Sequence, residues 1–466
     1  MIGRSRLVAI VASVGALALT AACSGGDPKS EPTPTPTPTG PTLLTFAVYG
    51  PPPVVTAYTK IAADFSAEHP DIVVNVHPYA NAAEATAALA KQVAAGNPPD
   101  AFLTPQSSLR GLVEDKAVRP LDELLGEREV DFGDGFQRDA LEAYSADNRL
   151  QCMPVDVSPL VVYYNTTLVN LAALTEPGRR PITSDTGWKV DKFALAAQQA
   201  TALGRPGVRG VYVAPDLTQV APFVWSGGGE VVDSADEPTS LTLADSASAA
   251  GMEKLLEVVR NPRLTFTAQQ VAARSALQRF KSGRLAMMLG FRSLTPELRA
   301  QQGLSFDVMP LPRVGSKATS GDSRGLCLAE ASEHPEKTAD FLAYAVSNDA
   351  QAQLSATGYV VPPNTDVVNS DAFRQPGEYP ANAQVFAAGV RAIRQFPSVD
   401  TWPSVATHTA TLLQGLFYDP VIDPLEDRLK AIDAASAPLF TPVPTATPSA
   451  TPSPSATPTA TATPTS

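Results

Sequence analysis

From residue 42 the chain alternates between strand-forming and helix-forming runs. Thr42–Tyr49 (TLLTFAVY) is a β-forming run ending at Gly50, and Pro51–Pro53 breaks regular structure after it. Ala57–His69 has helical spacing, with Ile61, Phe65 and several Ala on one side, and Pro70 stops it. Ile72–Val76 is a second strand, Ala82–Ala95 an Ala-rich helix closed by Gly96, and Asp100–Leu103 a third strand. Leu109–Val113 and Leu121–Leu125 fit helices. Antiparallel hairpins need only short turns, whereas strands separated by helices pair in parallel. The order therefore predicts an α/β fold with a mainly parallel sheet.

The second half continues the alternation less regularly. Cys152–Val155 and Leu160–Asn165 read as strand segments with a bend at Ser158-Pro159. Phe193–Ala202, Ala247–Val259 and Ala268–Ser282 read as helices; Gly210–Ala214, Leu285–Leu289, Ser305–Met309 and Gly325–Ala329 read as strands. Pro335–Ser347 is an amphipathic helix with Glu336 and Asp340 facing solvent, and Ala383–Arg394, Thr401–Leu416 and Leu425–Ala435 close the region. The span from about Leu43 to Ala437 is too long for one small domain and suits two.

Proline marks the limits of this region. Of 44 prolines, six lie in Ser24–Thr42 and eight in Pro438–Ser466. At the start, Arg4 and Arg6 precede the apolar run Leu7–Leu19, a leader of signal-peptide length. Thr20-Ala21-Ala22-Cys23 follows and resembles the lipobox of bacterial lipoproteins, with Thr20 where Leu is usual. That resemblance makes Cys23 the lipidated N-terminus; the alternative is an ordinary cleaved leader with a chance Cys. The Pro-Thr alternation Pro32–Pro38 favours an extended spacer. Thus 1–22 reads as a leader, 23–42 as a linker, and 438–466, which lacks any charge, as a disordered tail whose Thr and Ser could carry O-linked sugars.

The formal charge of −12 becomes −14 once Arg4 and Arg6 leave with the leader. An acidic chain is not a nucleic-acid binder, because phosphate neutralisation needs clustered Lys and Arg. Electrostatics would not hold it to a membrane, so the lipid is the anchor. No enzyme constellation is present. The four His (His69, His77, His334, His408) form no close metal pattern, and no Gly-rich phosphate loop or GxSxG elbow occurs. Ser226–Gly229 reads as a turn, and Asp122/Glu123 as a solvated helix face. No cofactor is expected.

A set of stretches in order across the region carries a family resemblance: Phe65–Val76 (FSAEHPDIVVNV), Gly96–Leu103 (GNPPDAFL), Val118–Leu125 (VRPLDELL), Met153-Pro154 leading to Tyr163-Tyr164-Asn165, Ser226–Glu230, Phe280–Gly290 (FKSGRLAMMLG), His334–Tyr344 (HPEKTADFLAY) and Gly358–Pro362 (GYVVP). Together they resemble the extracellular solute-binding proteins of bacterial ABC importers, in the sugar-type, maltose-binding-like group. The resemblance implies a two-lobed periplasmic-binding-protein-like fold with three hinge crossovers and a ligand cleft between the lobes. It places lobe one at 43–157 and 328–394, and lobe two at 158–327 and 395–437. It implies a monomer, anchored by lipid on the outer face of the cytoplasmic membrane. That monomer would close on a small polar solute, a sugar or sugar derivative, and dock on importer membrane subunits. A surface binding or sensing lipoprotein not coupled to transport is the alternative, and an exported hydrolase a remote one.

Sugar sites pair flat aromatics with polar groups. Trp402, after the third crossover expected at Phe396-Pro397, stands where the maltose-binding pattern stacks a ring on sugar; interlobe packing is the alternative. Trp225 is a second candidate, and Trp188 reads as structural. Many relatives carry a stacking Trp near Arg292, and an Arg there would offer a planar face and five donors for hydroxyls, a carboxylate or a phosphate, which argues against a neutral oligosaccharide; a surface or ion-paired Arg is the alternative. Open α/β sheets bind ligands at strand ends. That adds Tyr49 and Gly50, Thr104, Gln106 and Ser107, Asp156 and Ser158 at the first crossover, and Ser320, Gly321 and Asp322 preceding the second. Cys152 and Cys327 fall on the crossover strands, which lie side by side in this family, so a Cys152–Cys327 disulfide is expected outside the cytoplasm. Two buried free thiols are the alternative.

Overall fold

The computed structural model describes residues 40–176, 180–399 and 401–441. The leader, Cys23, almost all of the linker and the tail from residue 442 lie outside the described residues. No described helix is long and apolar enough to cross a membrane.

Two sheets organise the chain. Strands β1 (Thr42–Tyr49), β2 (Ile72–Tyr79) and β3 (Ala101–Pro105) form the parallel part of the first. The short strand β4 (Val118–Arg119) and the hairpin β5 (Ser145–Ala146) and β6 (Arg149–Leu150) follow. The long strand β7 (Cys152–Pro159) leads, through Leu160 alone, into β8 (Val161–Asn165) of the second sheet. That sheet is completed by β9 (Arg209–Tyr212), β10 (Leu285–Gly290) and β11 (Phe306–Met309), in the order β11-β8-β10-β9. The last strand, β12 (Gly321–Ala329), returns to the first sheet, whose order is β2-β1-β3-β12-β4 with β7 also on β12. The expected parallel sheet is thus mixed. β12 runs antiparallel to β3, β4 and β7, and in the second sheet only β9 and β10 are parallel.

Each sheet has its own core. Phe46, Tyr58, Phe65 and Phe341 meet edge to face in the first lobe, between β1 and the helices Pro52–Glu68 and Pro335–Ala345. The second sheet is buried on both faces, so its strands alternate between two cores. Val162, Met287 and Leu289 face one that also holds Trp225 and Trp402. Val161, Tyr163 and Met288 face another, filled by Val361, Phe373 and Phe386.

That outer core corrects the expected boundaries. Apolar side chains from 361 to 386 bury against the second sheet, so 328–394 does not belong to lobe one as a block. The chain changes core between Val360 and Val361. The second crossing also comes earlier than expected, because β12 already pairs with β7 from Gly321. Other boundaries moved too. Ala268–Ser282 is two helices, since Ser275 accepts from Gln278 N and caps a new start. The last helix runs through Phe440, which is buried, so the tail boundary at 438 is too early. Ser226–Gly229 follows a helix, Leu217–Ser226, that sequence reading missed.

The crossings are tied to one another. Cys152 and Cys327 face each other in the β7–β12 register and are disulfide-bonded, as expected. Opposite Arg324 and Gly325, Val155 is skipped in the pairing, a bulge that bends β7 beside the bridge. A Cβ on Gly325 would sit 2.5 Å from the Tyr144 ring, so that position needs glycine. Leu160 N donates to Ser320 O at 2.9 Å, and Thr319 Oγ1 to Leu160 O at 2.7 Å. Val157 N donates to Val361 O at 2.9 Å.

Candidate functional site

The carboxyl ends of β1 and β3 point toward the junction of the two lobes, where the segment 394–398 also passes. Two adjoining cavities open there. One, of about 470 Å³, is walled by Trp225, Phe396, Arg394 and Glu230, with Arg110 and Asp236 between the lobes. The other, of about 530 Å³, adds Gln106, Ala143 and Asp147 from the first lobe, and shares Arg110, Asp236 and Gln395.

Local structure explains how each wall is held. Asp216 Oδ1 accepts from Gln219 N at 3.0 Å and caps the helix Leu217–Ser226, whose last turn delivers Trp225. Phe396 lies between two indoles. Its ring stacks on Trp402 at 5.1 Å, 26° from coplanar, and is 5.0 Å from Trp225. Arg394 lies over the Trp225 ring at 5.7 Å and meets Glu230 at 2.8 Å. Ser398 Oγ donates to Ser107 O at 2.8 Å and accepts from Arg110 N, which ties the segment to lobe one. Arg110 Nε meets Glu114 at 2.7 Å, and its Nη1 reaches the Asp236 carbonyl in lobe two. The Glu114 hydrogen bond raises the Arg110 pKa, so the side chain stays cationic. Burial works against Asp233 ionisation, but donors from Thr239 and Ser240 outweigh it and hold the carboxyl below its ordinary range.

Of the residues expected at the site, Gln106 and Trp225 line these cavities, and Ser107 abuts them through Ser398. Trp402, 8% exposed, lines neither cavity and backs Phe396 from the core. Arg292 is a correction. It is 0% exposed, in the outer core of lobe two, over Phe373 at 4.9 Å and Phe386 at 5.3 Å. Its Nη2 donates to Phe373 O at 3.1 Å, and burial lowers its pKa to about 10. The position after β10 turns inward here, so the argument it offered against a neutral sugar lapses.

The remaining candidates build the seam between the lobes and line neither cavity. Asp156, 2% exposed, accepts from Val361 N at 2.7 Å and lies 3.4 Å from Arg324. Desolvation raises its pKa to about 7 even though Arg324 opposes the shift. Burial alone would lower Arg324, but Asp156 and then Asp322, at 3.1 Å, more than offset it and raise its pKa. Ser158 Oγ accepts from Arg292 N at 2.9 Å, and Ser320 Oγ donates to Thr218 O at 2.7 Å. Thr104 is buried, and its carbonyl accepts from Tyr144 Oη at 3.4 Å. The buried Tyr49 ring lies 5.7 Å from the Arg324 guanidinium; its hydroxyl has no partner among the described residues, and burial pushes its pKa up. Gly50, at φ 143°, turns the chain from β1 into the helix Pro52–Glu68, a conformation L side chains rarely adopt.

Sequence reading missed Arg110, Asp147, Asp236 and Arg394, and used Phe396 only to mark a crossing. Asp147-Asn148 carried a usable signal: both have positive φ, 54° and 59°, as a two-residue hairpin turn requires.

The profile of the bacterial extracellular solute-binding protein family matches residues 60–381. No curated protein matches the chain. Solved structures with the same fold include an ABC substrate-binding protein from Listeria monocytogenes in complex with cycloalternan. It is 19% identical with TM-score 0.69, over 85% of this chain and 98% of that one. The sugar-binding protein MalE from Xanthomonas citri is 15% identical with TM-score 0.73, over 86% and 97%. The GacH receptor of Streptomyces glaucescens, solved without ligand and with acarbose, is 18% identical with TM-score 0.68, over 86% and 98%.

Proposed function

The chain belongs to the bacterial extracellular solute-binding protein family, and from that premise we propose that it captures a sugar or sugar derivative between its lobes and delivers it to an ABC importer. The observation that carries this reading is the interlobe cavity of about 470 Å³, with an aromatic wall of Phe396 and Trp225 and a polar rim supplied by both lobes. A sugar presents a C–H face to such a wall and hydroxyls to such a rim. The neighbours solved with cycloalternan and acarbose support the choice of ligand class. Closure gains its energy from ligand contacts that both lobes make at once and that an open cleft lacks. In this reading the protein performs no chemistry, and its lobes divide at the seam described above.

Lipidation at Cys23 anchors the mature protein outside the cytoplasmic membrane, and the Pro/Thr-rich spacer lifts the lobes from the surface. The Cys23→Ser variant then appears in the medium instead of the membrane fraction.

Capture is tested by a thermal-shift screen of sugars, sugar phosphates and polyols, followed by small-angle scattering of the hits. A true ligand at a hundred times its Kd adds about 2.7 kcal/mol to stability and lowers the radius of gyration. A broad panel that changes neither quantity defeats the carbohydrate reading.

A further inference from the structure

The cleft carries two arginines, and each already meets a glutamate. Arg110 is matched by Glu114 and by the Asp236 carbonyl, and Arg394 by Glu230. Three further carboxylates stand around the same cavities without a cation paired to them: Asp147, Asp233 and Asp236. Asp233 is held ionised by its hydrogen-bond donors. The exposed carboxylates of Asp147 and Asp236 have no hydrogen bond or ion pair among the described residues, and Asp236 acts on Arg110 only through space. An independent observation concerns the aromatic wall. The Trp225 ring already holds a cation, the Arg394 guanidinium, at 5.7 Å. The wall and the rim therefore favour the same sign of charge.

Resting on the solute-capture reading above, we propose that this cleft selects saccharides by charge, preferring a protonated amino sugar, accepting neutral sugars and rejecting uronates and sugar phosphates. A ligand amine meets the carboxylates of Asp147 and Asp236, which have no cation partner among the described residues. A ligand carboxylate or phosphate meets the same carboxylates with every nearby guanidinium already engaged. At contact distance, one uncompensated like charge is enough for about a tenfold loss of affinity, and more as water leaves the closing cleft.

The test is calorimetric titration with matched sets on one ring: glucose, glucosamine, glucuronate and glucose 6-phosphate, and the corresponding galactose series. The expected order is amine, then neutral, then acid, with at least about tenfold between neutral and acid at low salt. The gap narrows as salt rises from about 0.05 to 0.5 M. In the Asp147→Asn, Asp236→Asn double variant the gap shrinks. Asn tolerates the left-handed backbone at position 147, and both side chains are exposed, so the variant keeps its fold. An acid form that binds as tightly as its neutral partner overturns the charge selection and leaves saccharide capture standing. A gap unchanged in the double variant overturns the role given to these carboxylates. Failure of every member of both series to bind overturns this inference, and the saccharide reading falls only if the broad panel fails as well.

Discussion

The seam between the lobes and the cleft mouth are both rich in charge, yet they use it in opposite ways. At the seam, Asp156, Ser158 and Ser320 are buried and the Arg324 side chain is 13% exposed, and each has a fixed partner: Val361 and Arg324 for Asp156, Arg292 for Ser158 and Thr218 for Ser320. At the mouth, Arg110, Asp147, Asp236 and Arg394 stay accessible, and the carboxylates outnumber the cations. Buried charges with backbone partners fix the path of the chain. Accessible charges in excess of their partners set what can enter.

The contrast can be broken at its strongest point first. Arg324→Ala leaves Asp156 and Asp322 side by side without their shared cation, a loss expected to cost about 3–5 kcal/mol in denaturant unfolding. A cost under about 1 kcal/mol would show that the seam does not depend on the pair. Next, replacing Cys152 and Cys327 together by Ser frees a 175-residue separation in the unfolded chain and should cost about 2–4 kcal/mol. Mass analysis of the alkylated, unreduced protein should find neither thiol modified.

A smaller effect separates charge from geometry at the seam. The folded pKa of Asp156, raised to about 7 by burial, exceeds that of an unfolded Asp near 3.9. The folded state therefore holds this proton more tightly. The resulting stability is fully present below about pH 4 and is lost as pH climbs toward 7, at up to about 1.4 kcal/mol per unit. Asp156→Asn should remove that slope, so wild type and variant are compared by denaturant titration at pH 5 and pH 8. A difference between them that does not vary with pH refutes the assignment. At the mouth, Phe396→Ala should weaken a bound saccharide by about tenfold and cost about 1–2 kcal/mol of stability, whereas Arg292→Met should leave affinity unchanged and shift stability by no more than about 1 kcal/mol. Reversal of those two results would return Arg292 to the site.

Strand-end candidates such as Asp156 and Gln106 look alike in sequence, because both are polar residues following or ending β-forming runs. Which one faces the cleft is decided by the bulge at Val155 in β7, next to Asp156, and by the 361–386 segment, whose apolar residues bury on lobe two. Neither feature has a local signature. The lobes, the crossing strands and the disulfide were legible, since hydrophobic runs, Pro breaks and ordered family stretches report on them directly. Arg292 misled because its neighbours in the fold, Phe373 and Phe386, lie more than 80 residues downstream. The pair Arg110 and Asp236 escaped notice for the same reason: its members are 126 residues apart and meet only once both lobes exist.

The position of β12 also orders events during synthesis and export. It pairs with β3, β4 and β7, yet about 160 residues of lobe two lie between β7 and β12. As the chain emerges, β3 is an unpaired edge, open to wrong pairing, until β12 arrives. Lobe two can build its four-stranded sheet in that interval, since β8 through β11 are contiguous in sequence. Cys152 likewise waits as a lone thiol until Cys327 is exported. Any delay between residues 160 and 320 thus prolongs both the free edge of the first lobe and the lone thiol.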